Sequence, residues 1–474
     1  MLYRLCFAIL VALCASLTFG TTGTFAGDTK PNIVLIMADD LGYADVGCYG
    51  QQKIQTPRID EMARQGMRFT DHYSGSNVCA PTRCSLITGQ HTGHCSIRGN
   101  RQAKGVEGQW PLSADATTVG GQLQHAGYVT GMFGKWGLGN PGTSGDPLRQ
   151  GWDTYYGYTD QIRAHNYFPD FLLRDGKRER LNNKVVYLSK KLWHKGIGSY
   201  STEKNEYSHD LIMQAAMEFI RQNQSVPFFA YLPVALPHDN GEARGSKMEV
   251  PDFGRYADRS DWSVDAKGYA SMVSRLDASV GDVMDLLKQL ELDENTLVLF
   301  TSDNGPASRI TPFFDSNGPF QGIKRDVYEG GIRAPLVAWW PGTIAAGTES
   351  DHASAHWDYL PTFCDLAGHP APENTDGISM VPTLLGRPAQ QRQHDFLYWE
   401  DGRDGSVGIR IGDWKGRLPP ESADDLTSWQ VFDLSEDPGE KNNLADVRPD
   451  LVRKFADIFR QAHVPSKLFP HPTD

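Results

Sequence analysis

The sequence predicts an α/β fold: a doubly wound, mostly parallel sheet flanked by helices, followed by a small C-terminal antiparallel sheet with one helix. Three observations predict it. Residues 32–38 (NIVLIMA) and 296–301 (TLVLFT) are unbroken apolar runs, the pattern of strands buried on both faces of a parallel sheet. Between them helical and extended segments alternate, as βαβ units do. From about Arg387 the pattern changes to short alternating segments, the signature of a half-buried antiparallel sheet. A chain of 474 residues holds one large domain plus a smaller one, and we divide it into 1–26, 27–386 and 387–474.

Arg4, the apolar run 5–17 and the small and polar residues up to Thr24-Phe25-Ala26 read as a secretory signal peptide, cut after Ala26 or near Gly20. The run is short for a membrane span, and Cys14 is a poor fit to a lipoprotein cleavage site. We therefore expect a secreted or periplasmic protein with no stable membrane anchor. The mature chain keeps Cys48, Cys79, Cys84, Cys95 and Cys364, a set that permits disulfides but offers no CxxC pair or Cys/His cluster suggesting zinc.

The strand at 32–38 ends in Asp39-Asp40-Leu41-Gly42. Thr56-Pro57 starts a helix with Ile59, Met62 and Ala63 on one face and Gly66 at its end. Residues 67–73 read as a strand leading to a loop at Cys79. Thr117-Thr118 caps a helix that reaches Ala126-Gly127, and 128–133 is a strand ending in Gly134-Lys135-Trp136-Gly137. Residues 139–198 are rich in Gly, Pro, Asn and aromatics with weak periodicity, as binding loops are, and Arg163, His165, Asn166, Tyr167 and Arg174 are candidates to line a substrate cleft. A helix at 208–223 and a strand at 226–232 lead to Pro237-His238. A long amphipathic helix at 269–290 precedes the strand at 296–301, which ends in Ser302-Asp303-Asn304-Gly305. In the C-terminal part, strands are expected at 395–400, 407–411 and 430–434 and a helix at 448–461.

Ligands in open α/β sheets sit at the carboxyl ends of the strands. Either acidic pair alone reads as a turn with a helix cap. Two pairs, each closing a buried strand, place four oxygen donors, Asp39, Asp40, Asp303 and Asn304, around one point, a set suited to calcium or magnesium. In residues 77–89 (NVCAPTRCSLITG) a thiol, a proline, a hydroxyl and an arginine stand before apolar Leu86 and Ile87. That order reads as a loop entering a helix N-terminus, where free N–H groups and the guanidinium of Arg83 favour an anion. A net charge of −12 and a pI near 5.6 argue against nucleic acid as a partner.

Cys79-Ala80-Pro81-Thr82-Arg83, followed by Leu86, Thr88 and Gly89, resembles the C-x-P-S/T-R signature of type I sulfatases. The resemblance runs in order from Pro31 to about Leu444 and includes Asp376-Gly377 and Phe432-Asp433-Leu434 with Asp437-Pro438-Gly439-Glu440. It implies an alkaline-phosphatase-like fold for a catalytic domain at 27–386. It also implies oxidation of Cys79 to formylglycine (3-oxoalanine) by a maturation enzyme, with the aldehyde hydrate as nucleophile. Asp39, Asp40, Asp303 and Asn304 then match Ca2+ ligands, with residue 79 completing the shell. Arg83 matches the residue that holds the hydrate, and Lys135, His238 and Lys324 match sulfate and leaving-group contacts. One departure stands out: the lysine-tryptophan pair is usually followed by histidine, and here by Gly137. Phe133 is also bulkier than the residues common at its place.

The implied activity is removal of sulfate from a sulfated carbohydrate, of arylsulfatase type. A phosphodiesterase or phosphonate monoester hydrolase of the same superfamily is one alternative, and a non-catalytic sulfated-glycan-binding protein, compatible with Gly137, is another. The negative net charge does not oppose a polyanion, because at ~0.15 M salt charges are screened within roughly 8 Å and the local cluster decides.

Overall fold

The computed structural model of the chain describes residues 30–101, 108–188 and 198–474. The expected signal peptide lies outside the described residues, as does 189–197 within the insertion. A ten-stranded sheet forms the centre, in the order Thr348–Ser350, Met67–Phe69, Leu336–Trp339, Thr296–Ser302, Asn32–Ala38, Phe228–Pro233, Val129–Lys135, Thr154–Tyr158, Phe171–Arg174, Lys177–Arg180. The five strands from Thr296–Ser302 to Thr154–Tyr158 are mutually parallel. Asn32–Ala38 lies between Thr296–Ser302 and Phe228–Pro233, every residue buried.

Its alternating side chains divide the core. Val34, Ile36 and Ala38 pack with the helices Pro57–Gln65, Ser208–Gln222 and Val264–Gln289; Ile33, Leu35 and Met37 pack with Cys79–Thr88, Val119–His125 and Tyr359–Leu366. Full burial of each Val, Leu or Ile here contributes about 1.5–3 kcal/mol. Burial on both faces is why this strand has no polar alternation. The second sheet, Leu397–Glu400, Val407–Ile411, Trp414–Leu418 and Gln430–Asp433, is antiparallel and packs against the helix Pro449–Ala462. All five cysteines from Cys48 to Cys364 are free thiols. Among the described residues no helix is long and apolar enough to cross a membrane.

Several boundaries differ from the sequence reading. The stretch 67–73 is two strands, since Met67–Phe69 joins the main sheet while His72–Tyr73 pairs with Ser354–Ala355. The long helix begins at Val264 because the Ser263 hydroxyl caps it, accepting the Ala266 N–H at 3.1 Å. The insertion is more regular than its composition suggests: Thr154–Tyr158 extends the parallel sheet, and Phe171–Arg174 with Lys177–Arg180 forms a hairpin. That hairpin turns through Asp175 and Gly176, both at positive φ (48° and 82°), the two-residue Asp-Gly turn that matches strand twist. Leu336–Trp339, Tyr359–Leu366 and Trp414–Leu418 were not anticipated.

Candidate active site

The two acidic tips meet because their strands are neighbours in register, Ala38 opposite Ser302. The Asp303 N–H donates to Ala38 O (3.0 Å), and the Asp40 N–H donates to Asp303 Oδ1 (3.1 Å). Asp40 turns the chain at φ 63°, a left-handed conformation that Asp tolerates better than most side chains. Asn304 Nδ2 donates to Asp40 Oδ1 (2.8 Å), whereas Asn304 Oδ1 is buried with no hydrogen-bond partner.

Cys79 is the first residue of the helix Cys79–Thr88, whose N-cap Val78 provides no capping side chain. Asn100 supplies one from outside, its Oδ1 accepting the Ala80 N–H at 2.8 Å. Gly89 ends the helix at φ 68° with its N–H on Ser85 O. The helix start thereby presents the Cys79 thiol to the acidic tips, Sγ lying 3.3 Å from Asp39 Oδ1 and 3.9 Å from Asp40 Oδ1.

Three cations close around the carboxylates. Arg83, one turn after Cys79, reaches Asp303 Oδ2 at 2.8 Å and Asp39 Oδ2 at 3.5 Å and donates to Lys135 O, leaving its Nε buried and unpartnered. Lys135, the last residue of its strand, donates to Asp39 Oδ2. Lys324 reaches Asp40 Oδ2 (2.8 Å) and His238 Nε2 (3.2 Å). For the ammonium to donate to Nε2, the imidazole proton must sit on Nδ1, where it is donated to Asp239 O at 2.7 Å.

These contacts set the charges. Burial would raise Asp39, but Lys135, His238, Arg83 and Lys324 overcome it and hold the carboxyl well below its ordinary range. Asp40 is lowered in the same way, burial being outweighed by Lys324 and His238. Asp303 goes the other way: burial and then the Asp39 carboxylate push it up to about 7 against the pull of Arg83. Burial also raises the Cys79 thiol, helped by Asp303 and Asp39, and lowers His238 to about 4, so the ring is neutral at pH 7.

Asp39, Asp40, Cys79 and His238 bring ligand atoms within 4.8 Å of one another, a buried group able to hold a metal ion. His238 Nε2 is engaged by Lys324, so the free lone pair at this place belongs to Asn304 Oδ1. The site opens into a cavity of about 1040 Å³ lined by residues including Asp40, Cys79, Lys135, Gln161, His238 and Lys324.

Residues 31–369 match the Sulfatase family model, and residues 319–459 match the model for the N-sulphoglucosamine sulphohydrolase C-terminal region. The chain is 33% identical to human (Homo sapiens) arylsulfatase A, with 94% of this chain and 90% of that protein covered. The chain belongs to the sulfatase family. It is a sulfuric ester hydrolase with the alkaline-phosphatase-like fold. It is 30% identical to N-acetylgalactosamine-6-sulfatase of Canis lupus familiaris, covering 94% of this chain and 83% of the relative. Among solved structures it is similar to Ps i-CgsB in complex with k-i-k-neocarrahexaose (TM-score 0.76, 27% identity, 94% of either chain covered).

In this sulfatase the candidate cleft residues fall in different places. His165 lines the cavity, stacked on His238 with ring centroids 4.5 Å apart. Tyr167 is 1% exposed and does not reach the cavity, because its hydroxyl donates to Ala235 O (2.6 Å) and His238 O (2.7 Å) and so braces the His238 loop. Arg163 lines a separate cavity of about 270 Å³ with Phe171 and Tyr187. Asn166 is buried against Ser199 and Ser201, and Arg174 pairs with Glu179 on the outer hairpin. The cavity also takes residues the sequence did not single out: Asn100, Gln109, Gln161, Arg325 and Asp401. A second group, His91, His94 and Asp376, converges elsewhere although no local Cys/His pattern marked it; there Asp376 accepts from the His91 N–H (2.9 Å) and from His94 Nδ1 (2.8 Å).

Proposed function

We propose that this sulfatase releases sulfate from a sulfated carbohydrate, using formylglycine made from Cys79 by a maturation enzyme and a calcium ion held at the tips of two neighbouring strands. The observation that carries the reading is the meeting of residue 79 with Asp39, Asp40, Arg83, Lys135 and Lys324 at one end of a cavity that Asp40, Cys79, Lys135 and Lys324 line. The residues fit a hard cation. Asn304 Oδ1 is a buried acceptor without a donor, and Asp303 is a carboxylate crowded by another, both of which an ion would relieve. Asp39, Asp40, Asp303, Asn304 and residue 79 would hold it, and when bound it supplies positive charge that lowers the pKa of a hydroxyl and steadies the sulfuryl oxygens. Cys79 Sγ stands in for the oxygens of the oxidised side chain, whose hydrate supplies one hydroxyl for attack on sulfur and a second through which sulfate is expelled.

The chain's own side chains do the rest. Arg83 has its Nη atoms anchored on Lys135 O, Asp303 and Asp39 and offers its unpartnered Nε to the oxygens of residue 79. Lys135 and Lys324 flank the position of the sulfate and offset charge that develops on its oxygens. Lys324, strongly protonated beside Asp40 and joined to neutral His238, holds the proton for the departing alcohol. A cavity of about 1040 Å³ suits a saccharide better than a small aryl ester, and the carbohydrates named for the relative and for the solved complex support that class. A secreted or periplasmic location follows from the signal peptide expected at 1–26.

The test is release of inorganic sulfate from a panel of sulfated saccharides, set against matched phosphate esters, by protein made in a host that oxidises the cysteine. Sulfate release should accompany a mass deficit at the residue 79 peptide and fall at least about a thousandfold in Cys79→Ala. Full activity with an unmodified thiol would overturn the formylglycine reading. Tight saccharide binding without release would make the protein a glycan binder.

A further inference from the structure

Gln161 is 4% exposed, it lines the main cavity together with Lys135, Cys79 and His165, and both polar atoms of its amide, Nε2 and Oε1, are buried with no hydrogen-bond partner. Its backbone is fixed from two sides. Its own N–H donates to Gln109 Oε1 (2.9 Å), and the preceding Asp160 uses Oδ1 to accept the Ile162 and Arg163 N–H groups at 2.7 and 2.9 Å. The amide presses against Gly137: a Cβ on residue 137 would stand 1.9 Å from Gln161 Nε2, and Gly137 itself has φ 76°. Residue 137 therefore cannot carry a side chain while Gln161 keeps this place. The space beside the Lys135-Trp136 pair, where sulfatases usually present a histidine, is filled here by a carboxamide from just beyond the neighbouring strand, where Thr159 O accepts the Gly137 N–H at 3.2 Å.

Burying an amide removes it from water at both ends, and only hydrogen bonds return that cost. Methionine would fill nearly the same volume without it. A polar group that finds no partner in the protein, on a residue that lines the cavity holding the reactive residue, is placed for what enters the cavity. We infer that Gln161 is a substrate-contacting residue: Nε2 donates to an oxygen of the sulfate group beside Lys135, and Oε1 accepts from a hydroxyl of the sugar that carries it. This inference rests on the sulfatase reading of the cavity given above.

Gln161→Met and Gln161→Glu test it, with three measurements: kcat/KM for p-nitrophenyl sulfate, calorimetric affinity for inorganic sulfate in a Cys79→Ala background, and Tm. Gln161→Met should keep or raise Tm, since it removes two unpaired buried groups, while kcat/KM and sulfate affinity both fall roughly tenfold to a hundredfold. Gln161→Glu should fall further, because it sets a carboxylate against the anion. Wild-type affinity and kcat/KM in Gln161→Met would overturn the inference, as would a lowered Tm with unchanged affinity in the folded fraction, the mark of a structural role. The two readings fail separately. If the parent protein binds sulfate through Gln161 yet releases none from any ester, the proposed function falls and Gln161 stands. If sulfate is released normally by Gln161→Met, only the role of Gln161 falls.

Discussion

Among the buried ionic clusters of the described residues, two differ in how completely they are closed. One lies at and just beneath the cavity floor, with Asp39, Asp40 and Asp303 against Arg83, Lys135 and Lys324. The other joins the C-terminal sheet to the helix Glu329–Ile332 and to the segment 71–73. There Lys415 Nζ meets Glu329 Oε1 at 2.8 Å, Arg333 and Tyr73 hold Glu329 Oε2 at 2.8 and 2.7 Å, and Arg333 and Arg410 clasp Asp71, each at 2.6 Å. In the second cluster almost every lone pair has a donor; the exception is Glu440 Oε1, 3.6 Å from Lys415 Nζ. At the first, Arg83 Nε, Asn304 Oδ1 and both ends of the amide of the neighbouring Gln161 have no hydrogen-bond partner. Burial and charge are alike in the two. What separates a cluster that fastens two parts of the fold from one that awaits a ligand is the presence of several unpaired polar atoms at or beside a cavity.

The sharpest way to break that comparison is to open the closed cluster. Lys415→Met leaves Glu329 and Glu440 facing each other without the ammonium between them, and loss of one partner from a buried pair costs about 3–5 kcal/mol. Urea unfolding should register that loss, while kcat/KM per folded molecule stays at the parent value. A large loss of activity in the folded fraction would show that the fastening cluster also shapes the cavity.

The sequence revealed these two regions unequally, for physical reasons. Asp39-Asp40 and Asp303-Asn304 were legible because each closes an apolar run, and strands buried on both faces announce themselves without alternation. Cys79 and Arg83 were legible because their spacing is local, four residues along one helix. The cavity walls were not. Asn100 caps a helix 20 residues before it, and Asp401 reaches Asn77 Nδ2 (3.0 Å) across 324 residues, pairings no periodicity encodes. Tyr167 and Arg163 shared a polar, aromatic stretch with His165, but composition does not say which side chain turns inward. Gly137 was visible as a departure, yet its partner Gln161 is found only once the chain has folded back on itself.

A cation sharpens the comparison at the open cluster. If Asp39, Asp40, Asp303 and Asn304 hold calcium, chelation should lower Tm and readdition at a hundredfold excess over Kd should restore about 2.7 kcal/mol. Asn304→Leu should lose most of that gain, because it removes the one ligand atom with no protein partner, whereas Lys415→Met should keep all of it. An equal calcium gain in Asn304→Leu would place the ion elsewhere.

The smallest effect concerns pH and the one open atom of the closed cluster. Burial, with Glu329 facing it across Lys415, pushes Glu440 up to about 7, while Glu329 is held well below the usual carboxylate range because Lys415, Arg333 and Arg410 outweigh its burial. A carboxyl whose folded pKa exceeds its unfolded one binds a proton on folding. Its contribution is therefore full below the ordinary glutamate pKa of about 4.5 and is lost as pH rises through about 7. Glu440→Gln stays neutral at every pH and can still accept the Glu329 N–H that Glu440 Oε2 accepts at 2.6 Å. Between pH 5 and 8 the variant should lose about 2.5 kcal/mol less stability than the parent, read as a flatter dependence of the urea midpoint on pH. Parallel pH curves for the two proteins would mean that Lys415 already stabilises both carboxylates in their charged forms, and that the second cluster is as closed in charge as it is in hydrogen bonds.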